Sequence, residues 1–322
     1  MDRIITAGIA VVAVPAVLLG YLMLGERILE RLPGRLQSWF RPYFWALPAI
    51  AFASIFMVIP TINTAILSFQ NRDSTEWVGF ANYKYFFTFP DTLLSLRNSV
   101  FWLIFFSGFA VFLGLVIAIL VDRVGYESIA KIAIFLPVPI SAVAASVIWR
   151  FMFDYQAPGH TQTGTLDAAL GTVGFQPVAW LSNEIINNPA LIFVGIWSFT
   201  GFCMVIISAS LKAISSEVLE AARMDGASEL RIVRLIVTPL LWPTITVVGT
   251  TMIITALKQF DIVYVLTGGA YDTNVIAVQM YQQLTRGGHF GRAAAVGVVL
   301  FIAIVPLLVI NVRRFQQQEE MR

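Results

Sequence analysis

Apolar residues in this chain come in long runs separated by shorter polar stretches. Seven runs are long enough, at about 20 residues each, to cross a hydrocarbon core as helices. They are 4–24, 43–69, 98–121, 129–153, 189–211, 240–266 and 293–312. Pro60, Pro137, Pro139 and Pro306 fall inside runs, where they predict kinks whose freed carbonyls neighbouring helices satisfy. Two polar stretches, 70–97 and 150–188, are long and carry aromatic and Gly/Pro residues such as Trp77, Phe80, Tyr83, Gly159, Gly164 and Trp180. Short interfacial helices are expected there. No 20–50-residue repeat and no low-complexity segment stands out.

Composition identifies the solvent. Of 322 residues, 58% are hydrophobic and 12% charged, against about 25% charged in a soluble domain. The 21 Lys and Arg and 19 Asp and Glu are too few to cover soluble domains of this length. A mean hydropathy of +0.78 points the same way. Disordered chains, nucleic-acid-binding domains and disulfide scaffolds are excluded. The net charge of +2 makes no case for an anionic partner. Cys203, the one cysteine, lies in an apolar run, where it reads as a small buried hydrophobe.

The few charges set the orientation, because Lys and Arg collect in cytoplasmic flanks. One side holds Arg27, Arg31, Arg35, Arg41, Arg123, Lys131, Lys212, Arg223, Arg231, Arg234, Arg313, Arg314 and Arg322, thirteen of the 21. The other side holds Arg3, Arg72, Lys84, Arg97, Arg150, Arg286 and Arg292. The expectation is seven spans with the N-terminus outside and the C-terminus inside. Asp2 beside Arg3, and the stronger positive flank after the first run, favour a retained anchor over a cleaved signal peptide. Residues 1–42 then form an anchor and cytoplasmic linker, and 43–322 a six-helix core.

The inside stretch 212–239 carries eight charges within 212–238 and the clearest pattern in the chain. Ser215 or Ser216 can cap a helix with Glu217 in its first turn. Asp225-Gly226 is a stop and turn signal. Ser228 and Glu229 can start a second helix, whose stripe of Leu230, Val233 and Leu235 runs to Pro239. An amphipathic linker resting on headgroups fits this pattern. So does a docking surface: Ala221 and Ala222 next to Gly226 allow close approach, and Glu220, Asp225 and Arg223 make a polar rim.

Glu220-Ala221-Ala222, followed after three residues by Gly226 and then by Ile236 and Pro239, resembles the EAA loop of permease subunits of bacterial ABC importers. Thr238 stands where that loop has Leu, and Ser215-Ser216 where many members have Pro. Val78-Gly79-Phe80-Ala81-Asn82-Tyr83 is similar to the family's GxxNY segment. Leu136-Pro137, Trp149 and Met152-Phe153 resemble its third core helix. The stretch from Phe260 and Asp261 to Thr267-Gly268-Gly269 resembles the end of the fifth core helix in sugar permeases. The resemblance covers about residues 40–315, within the maltose-type group and nearest the α-glucoside permeases. It implies an all-α type I importer core with one extra N-terminal transmembrane helix. It also implies a bacterial inner-membrane location, a second, homologous permease, two ATPase subunits and an extracytoplasmic substrate-binding protein. Glu220, Ala221, Ala222, Asp225, Gly226, Ile236 and Pro239 would couple transport to the ATPase.

No GxxxxGK[ST] stretch is present, so the chain lacks a phosphate-cradling loop. It is expected to be no enzyme and to hold no cofactor or metal, with ATP and Mg on the partner ATPase. Ionisable groups inside spans are the first candidates for a solute path. Lys258 and Asp261, spaced i, i+3, can pair on one helix face, with Gln259 and Tyr264 nearby. Amide, carboxylate and aromatic groups suit sugars, but a structural ion pair snorkelling to the outer surface fits equally. Asn63, Asn98, Trp149 and Trp197 are further candidates that also read as packing residues or interfacial anchors. His160 and His289 have no metal-ligand spacing, and Gly287, Gly288 and Gly291 read as a turn. An ion-coupled secondary transporter is the alternative. It usually needs several buried acidic groups, whereas Asp261 alone lies well inside a run. A scaffold or membrane enzyme lacks any catalytic constellation.

Overall fold

The computed structural model describes residues 2–31, 33–122 and 124–320, so Arg123 and Arg322, both counted in the orientation argument, lie outside the described residues. Helices are the regular elements of the described residues, joined by irregular segments, and one β-bridge joins Gln70 to Trp77. Among the described residues, five helices are long and apolar enough to cross a membrane: Leu36–Leu67, Pro90–Val121, Asn187–Leu211, Glu229–Leu257 and Phe290–Arg313. They correspond to five of the seven expected runs. The first run lies within the helix Asp2–Glu30.

The run 129–153 is not one helix. It breaks into Glu127–Phe135 and Ala142–Met152. Pro137 and Pro139 lie between them. Each removes a backbone donor, and each disfavours the helical region for the residue before it. The second helix restarts at Ser141, whose Oγ accepts from the Ala144 N–H at 3.2 Å. Pro60 and Pro239 behave differently. Each follows a wide, π-helical turn by two residues, Ser54–Val58 and Val233–Val237, and the helix continues through. The wider turn makes room for the ring and for the missing N–H. Pro239 therefore sits inside a continuous helix, where a boundary was expected. The expected run 240–266 is also displaced. Its helix ends at Leu257, and a short helix, Asp261–Leu266, follows.

The chain forms two compact units, Met1–Asn63 and Thr64–Arg322. The helix through residue 42 is unbroken. In the first unit Tyr21 stacks on Phe44 at 4.7 Å and donates its hydroxyl to the Phe44 carbonyl. Glu26 pairs with Arg41. In the second unit Asn187–Leu211 is the most enclosed of the five long helices. It packs along Pro90–Val121 through small residues. A Cβ on Gly114 would stand 2.5 Å from the Cys203 Cβ, and one on Gly195 would stand 2.9 Å from the Trp102 ring. Such contacts drive helix association in lipid, where burial of apolar surface adds little. Trp102, Phe106, Leu191, Met204, Ile207, Leu241 and Met252 complete the core.

The polar stretches 70–97 and 150–188 contain the two short helices Ala81–Thr88 and Thr165–Thr172. Gly79 adopts φ +57, and Asn82 donates to the carbonyls of Ser68 and Gln70 at 2.9 and 2.8 Å. The Ser68 and Tyr83 hydroxyls are 2.6 Å apart. The Gly-x-x-Asn-Tyr stretch thus straps the helix Ala81–Thr88 to the chain leading into it.

Candidate functional site

The stretch 212–239 builds two helices around a glycine turn. Ser215 is the cap, its Oγ accepting from the Glu217 N–H at 3.2 Å. The first helix is Ser216–Met224. Gly226 follows at φ +76, a value that costs a residue with a Cβ about 1–2 kcal/mol. The Ala227 N–H returns to the Ala222 carbonyl at 3.0 Å, closing the end of the helix. Arg223 Nε lies 2.9 Å from Glu229 Oε1, a clasp across the turn. The second helix begins at Glu229 and becomes the membrane-length helix Glu229–Leu257.

The sequence-predicted residues of this stretch divide by exposure. Ala222 is buried against its own chain, and Ile236 is half-buried. Glu220, Ala221, Asp225, Gly226 and Pro239 are exposed. Two apolar side chains project beside them, Met224 at 89% and Leu230 at 77% exposure. Val218 and Leu235 in the same stretch are exposed as well, at 44% and 59%.

Glu127 anchors the root of this stretch. Its carboxylate accepts from Lys131, one turn along its own helix, and stands 2.7 Å from Lys212 Nζ at the end of Asn187–Leu211. Lys131 also donates to Ser208 Oγ. The Lys131 hydrogen bond, followed by that from Lys212, holds the Glu127 carboxyl below its ordinary range, and Glu127 in turn raises Lys212. Sequence spacing exposes the Glu127–Lys131 half of this cluster, four residues apart, but not the Lys212 half.

The Lys258–Asp261 pair does not form. The helix stops at Leu257, Lys258 takes φ −91 and ψ 7, and Phe260 takes φ −131 before Asp261 starts the next helix. The common helix face needed for an i, i+3 contact is therefore absent, and no ion pair links the two among the described residues. Both side chains are exposed, whereas Gln259 between them is 7% exposed. Tyr264 is half-buried and stacks on Phe260 at 4.9 Å, with Tyr281 edge-on at 5.1 Å. Gln259 and Tyr264 thus flank one helix break.

Trp149 is elsewhere. It is buried, packs edge-on against Phe193 and Trp197 at 5.2 and 5.5 Å, and lines an apolar pocket of about 450 Å³ with Phe153 and Trp180. Its indole Nε1 has no partner among the described residues. Asn63 is exposed and belongs to the first unit.

Asn98 is structural. Its amide donates to the carbonyls of Asp272 and Asn274 at 2.6 and 2.9 Å. Asn187 donates to the Tyr271 carbonyl at 2.6 Å. Two helices thus hold the loop after Thr267-Gly268-Gly269, where Gly268, Gly269, Tyr271 and Asp272 all have positive φ. Beside it a polar hollow of about 400 Å³ is lined by Asp91, Asn274, Gln279, Gln282 and Arg286. No sequence motif marks these residues, since their partners are distant in the chain.

A family model described as the binding-protein-dependent transport system inner membrane component matches residues 16–318. The osmoprotective compounds uptake permease protein GgtC of Synechocystis sp. is 47% identical over 275 residues, which are 85% of this chain and 99% of that protein. The alpha-glucoside transport system permease protein AglF of Rhizobium meliloti is 40% identical over 280 residues, 87% of this chain and 83% of that protein. The fold is similar to that in the crystal structure of a bacterial ABC transporter involved in the import of the acidic polysaccharide alginate. The TM-score is 0.73 at 23% identity, covering 89% of this chain and 99% of that one.

Proposed function

Because this chain belongs to the family of inner-membrane components of binding-protein-dependent transport systems, we propose that it is the permease subunit of an ATP-driven importer for a sugar, an α-glucoside or a related oligosaccharide. The chain is a multi-pass inner-membrane protein. The observation that carries the reading is the stretch 212–239, a capped helix and glycine turn that expose Met224 and Leu230 and lead directly into a membrane-length helix.

In this reading the stretch docks on a separate ATPase subunit, which holds the ATP and Mg. Glu220 meets a basic group there, Ala221 lets the partner approach, and Ala222 packs inward to fix the helix. Asp225 and Gly226 make the turn. Ile236 and Pro239 lie where motion enters the membrane. Closure of two ATPase subunits would pull on the stretch, and the continuous helix beyond it would transmit the pull to the path. Orientation from the basic flanks puts 212–239 inside, the N-terminus outside and an anchor at 1–42, with seven spans in all. A second, homologous permease would complete the path, and an extracytoplasmic binding protein would deliver the solute. Gln259 and Tyr264, at the helix break, are the residues of this chain that would meet it. Interrupted membrane helices recur at transporter binding sites. The printed functions of the two relatives, osmoprotectant uptake and α-glucoside transport, support a polyhydroxylated solute.

Reconstitution with the two ATPase subunits, the second permease and the binding protein tests the reading. Uptake of a labelled α-glucoside should require ATP. Gly226→Glu should abolish uptake while ATP hydrolysis continues and membrane level holds, and Gly226→Asn, which tolerates positive φ, should retain uptake. Normal uptake by Gly226→Glu would overturn the coupling role.

A further inference from the structure

A groove of about 660 Å³ runs between the helices Pro90–Val121 and Asn187–Leu211, on the side away from the core residues Trp102 and Phe106. Its walls are apolar. Phe101, Phe105 and Phe109 face Ile192, Phe193 and Ile196. The four phenylalanines are each 40–50% exposed. The wide turn Trp102–Phe106 carries more residues per revolution than an α turn, which helps keep positions four apart in line. Between Arg97 and Leu113, both on the lining, the helix rises about 24 Å. That exceeds one leaflet of a hydrocarbon core about 30 Å thick.

One end of the groove is charged, with both signs present. Arg97 and Glu184 line it, both exposed, and neither has an ion pair among the described residues. Asn188, which is 8% exposed, lines the same end, and its Oδ1 has no hydrogen-bond partner there. A cation, an anion and an orphaned acceptor thus stand together at the mouth of a slot shaped for a hydrocarbon chain.

We propose that this groove binds a phospholipid with an ethanolamine headgroup. The phosphate pairs with the Arg97 guanidinium, whose planar fork suits phosphate oxygens. The primary ammonium donates to the Glu184 carboxylate and to Asn188 Oδ1, and an acyl chain lies along the phenylalanines. Other headgroups fit less well. A glycerol headgroup is a net anion and leaves Glu184 facing negative charge. A choline headgroup has no N–H to donate to either acceptor. The site rests on the membrane location of the chain and not on the transported solute.

The test uses the full chain purified with its second permease and ATPase subunits. The complex is equilibrated with vesicles of equal parts palmitoyl-oleoyl phosphatidylethanolamine, phosphatidylglycerol and phosphatidylcholine, then released in mild detergent. Native mass spectrometry counts the lipid that stays bound. Phosphatidylethanolamine should be enriched over both competitors. Arg97→Gln and Glu184→Gln should each reduce the enrichment roughly tenfold, as expected for one charge-assisted hydrogen bond. Glu76→Gln, at an exposed acid away from the groove, should leave it unchanged. A photocrosslinker at Phe105 should yield a lipid adduct. Equal retention of the three lipids, preference for phosphatidylglycerol, enrichment unaffected by both mouth variants, or a crosslink to the second permease in place of lipid would each overturn the proposal.

Discussion

Lys212 Nζ lies 2.7 Å from Glu127 Oε1, joining the end of the most enclosed membrane helix to the start of a helix 85 positions earlier in the chain. Lys212 is also the first residue of the stretch that meets the ATPase in the reading above. The contact therefore fixes the root of that stretch relative to the helix Glu127–Phe135.

Acid should release this contact. The carboxyl of Glu127 is held low by Lys131 first and Lys212 second. A depressed carboxylate contributes stability that is present above its ordinary range and is lost as pH falls through the depressed value. Lys212 is raised by Glu127, so its share is present below the ordinary lysine range and is lost only as pH rises through the raised value. The contribution is thus complete at neutral pH and declines on the acid side. Thermal unfolding of the wild type should exceed that of Glu127→Gln at pH 7, and the gap should close as the carboxyl protonates. A gap that persists at low pH would show that charge is not its source. The pair is solvent-accessible, so added salt should also narrow the gap.

Close approach of Pro90–Val121 to Asn187–Leu211 gives a second expectation. Gly114 has no room for a side chain, whereas a Cβ at Gly108 in the same helix meets nothing within 4 Å. Gly114→Ala should destabilise by about 1–3 kcal/mol, the range for overpacking a tight contact. Gly108→Ala should be neutral or slightly stabilising, since alanine is the better helix former. Paired unfolding curves on the two variants decide the matter: equal midpoints would mean the helices can separate at little cost.

Much of this architecture is legible in the chain because it is local. Ser215, Glu217 and Gly226 announce a cap, a first turn and a turn residue within twelve positions, and each takes the expected place. The long apolar runs mark five membrane-length helices for the same reason. Proline is ambiguous. Pro137 and Pro139 end a helix, while Pro60 and Pro239 ride through behind a wide turn, and one residue type does not say which will happen. The break after Leu257 has no glycine or proline to signal it, so a uniform helix made Lys258 and Asp261 look like a pair. Long-range contacts leave no spacing at all, as with Asn98 reaching across 174 positions to Asp272.

That contact yields a third expectation. Asn98 is fully buried and supplies two donors to the loop that carries four positive-φ residues in succession of only five positions, Gly268, Gly269, Tyr271 and Asp272. Asn98→Ala strands the buried Asn274 carbonyl, whereas the Asp272 carbonyl keeps the Asn188 amide at 3.3 Å, and should cost about 1–3 kcal/mol. Asn98→Asp should not rescue it, because an ionised carboxylate has no proton to donate. Limited proteolysis within 267–276 should accelerate in both variants, and an unchanged cleavage rate would remove Asn98 from the role of tether.

The helix break after Leu257 separates the two polar candidates that the chain places side by side. Gln259 is buried between the helix ends, while Asp261 is exposed in the first turn of its helix, where a carboxylate is stabilised by the terminal N–H groups. A buried amide can both donate to and accept from a sugar hydroxyl. An exposed carboxylate at a helix start has a structural task already. Gln259→Ala should therefore lower uptake of the α-glucoside roughly threefold to tenfold, the value of one lost hydrogen bond. Asp261→Asn should leave uptake near the wild-type rate. Both measurements need equal membrane levels, checked by quantitative blotting. The reverse ranking, with Asp261→Asn impaired and Gln259→Ala normal, would move the solute path from the buried side of the break to its exposed side.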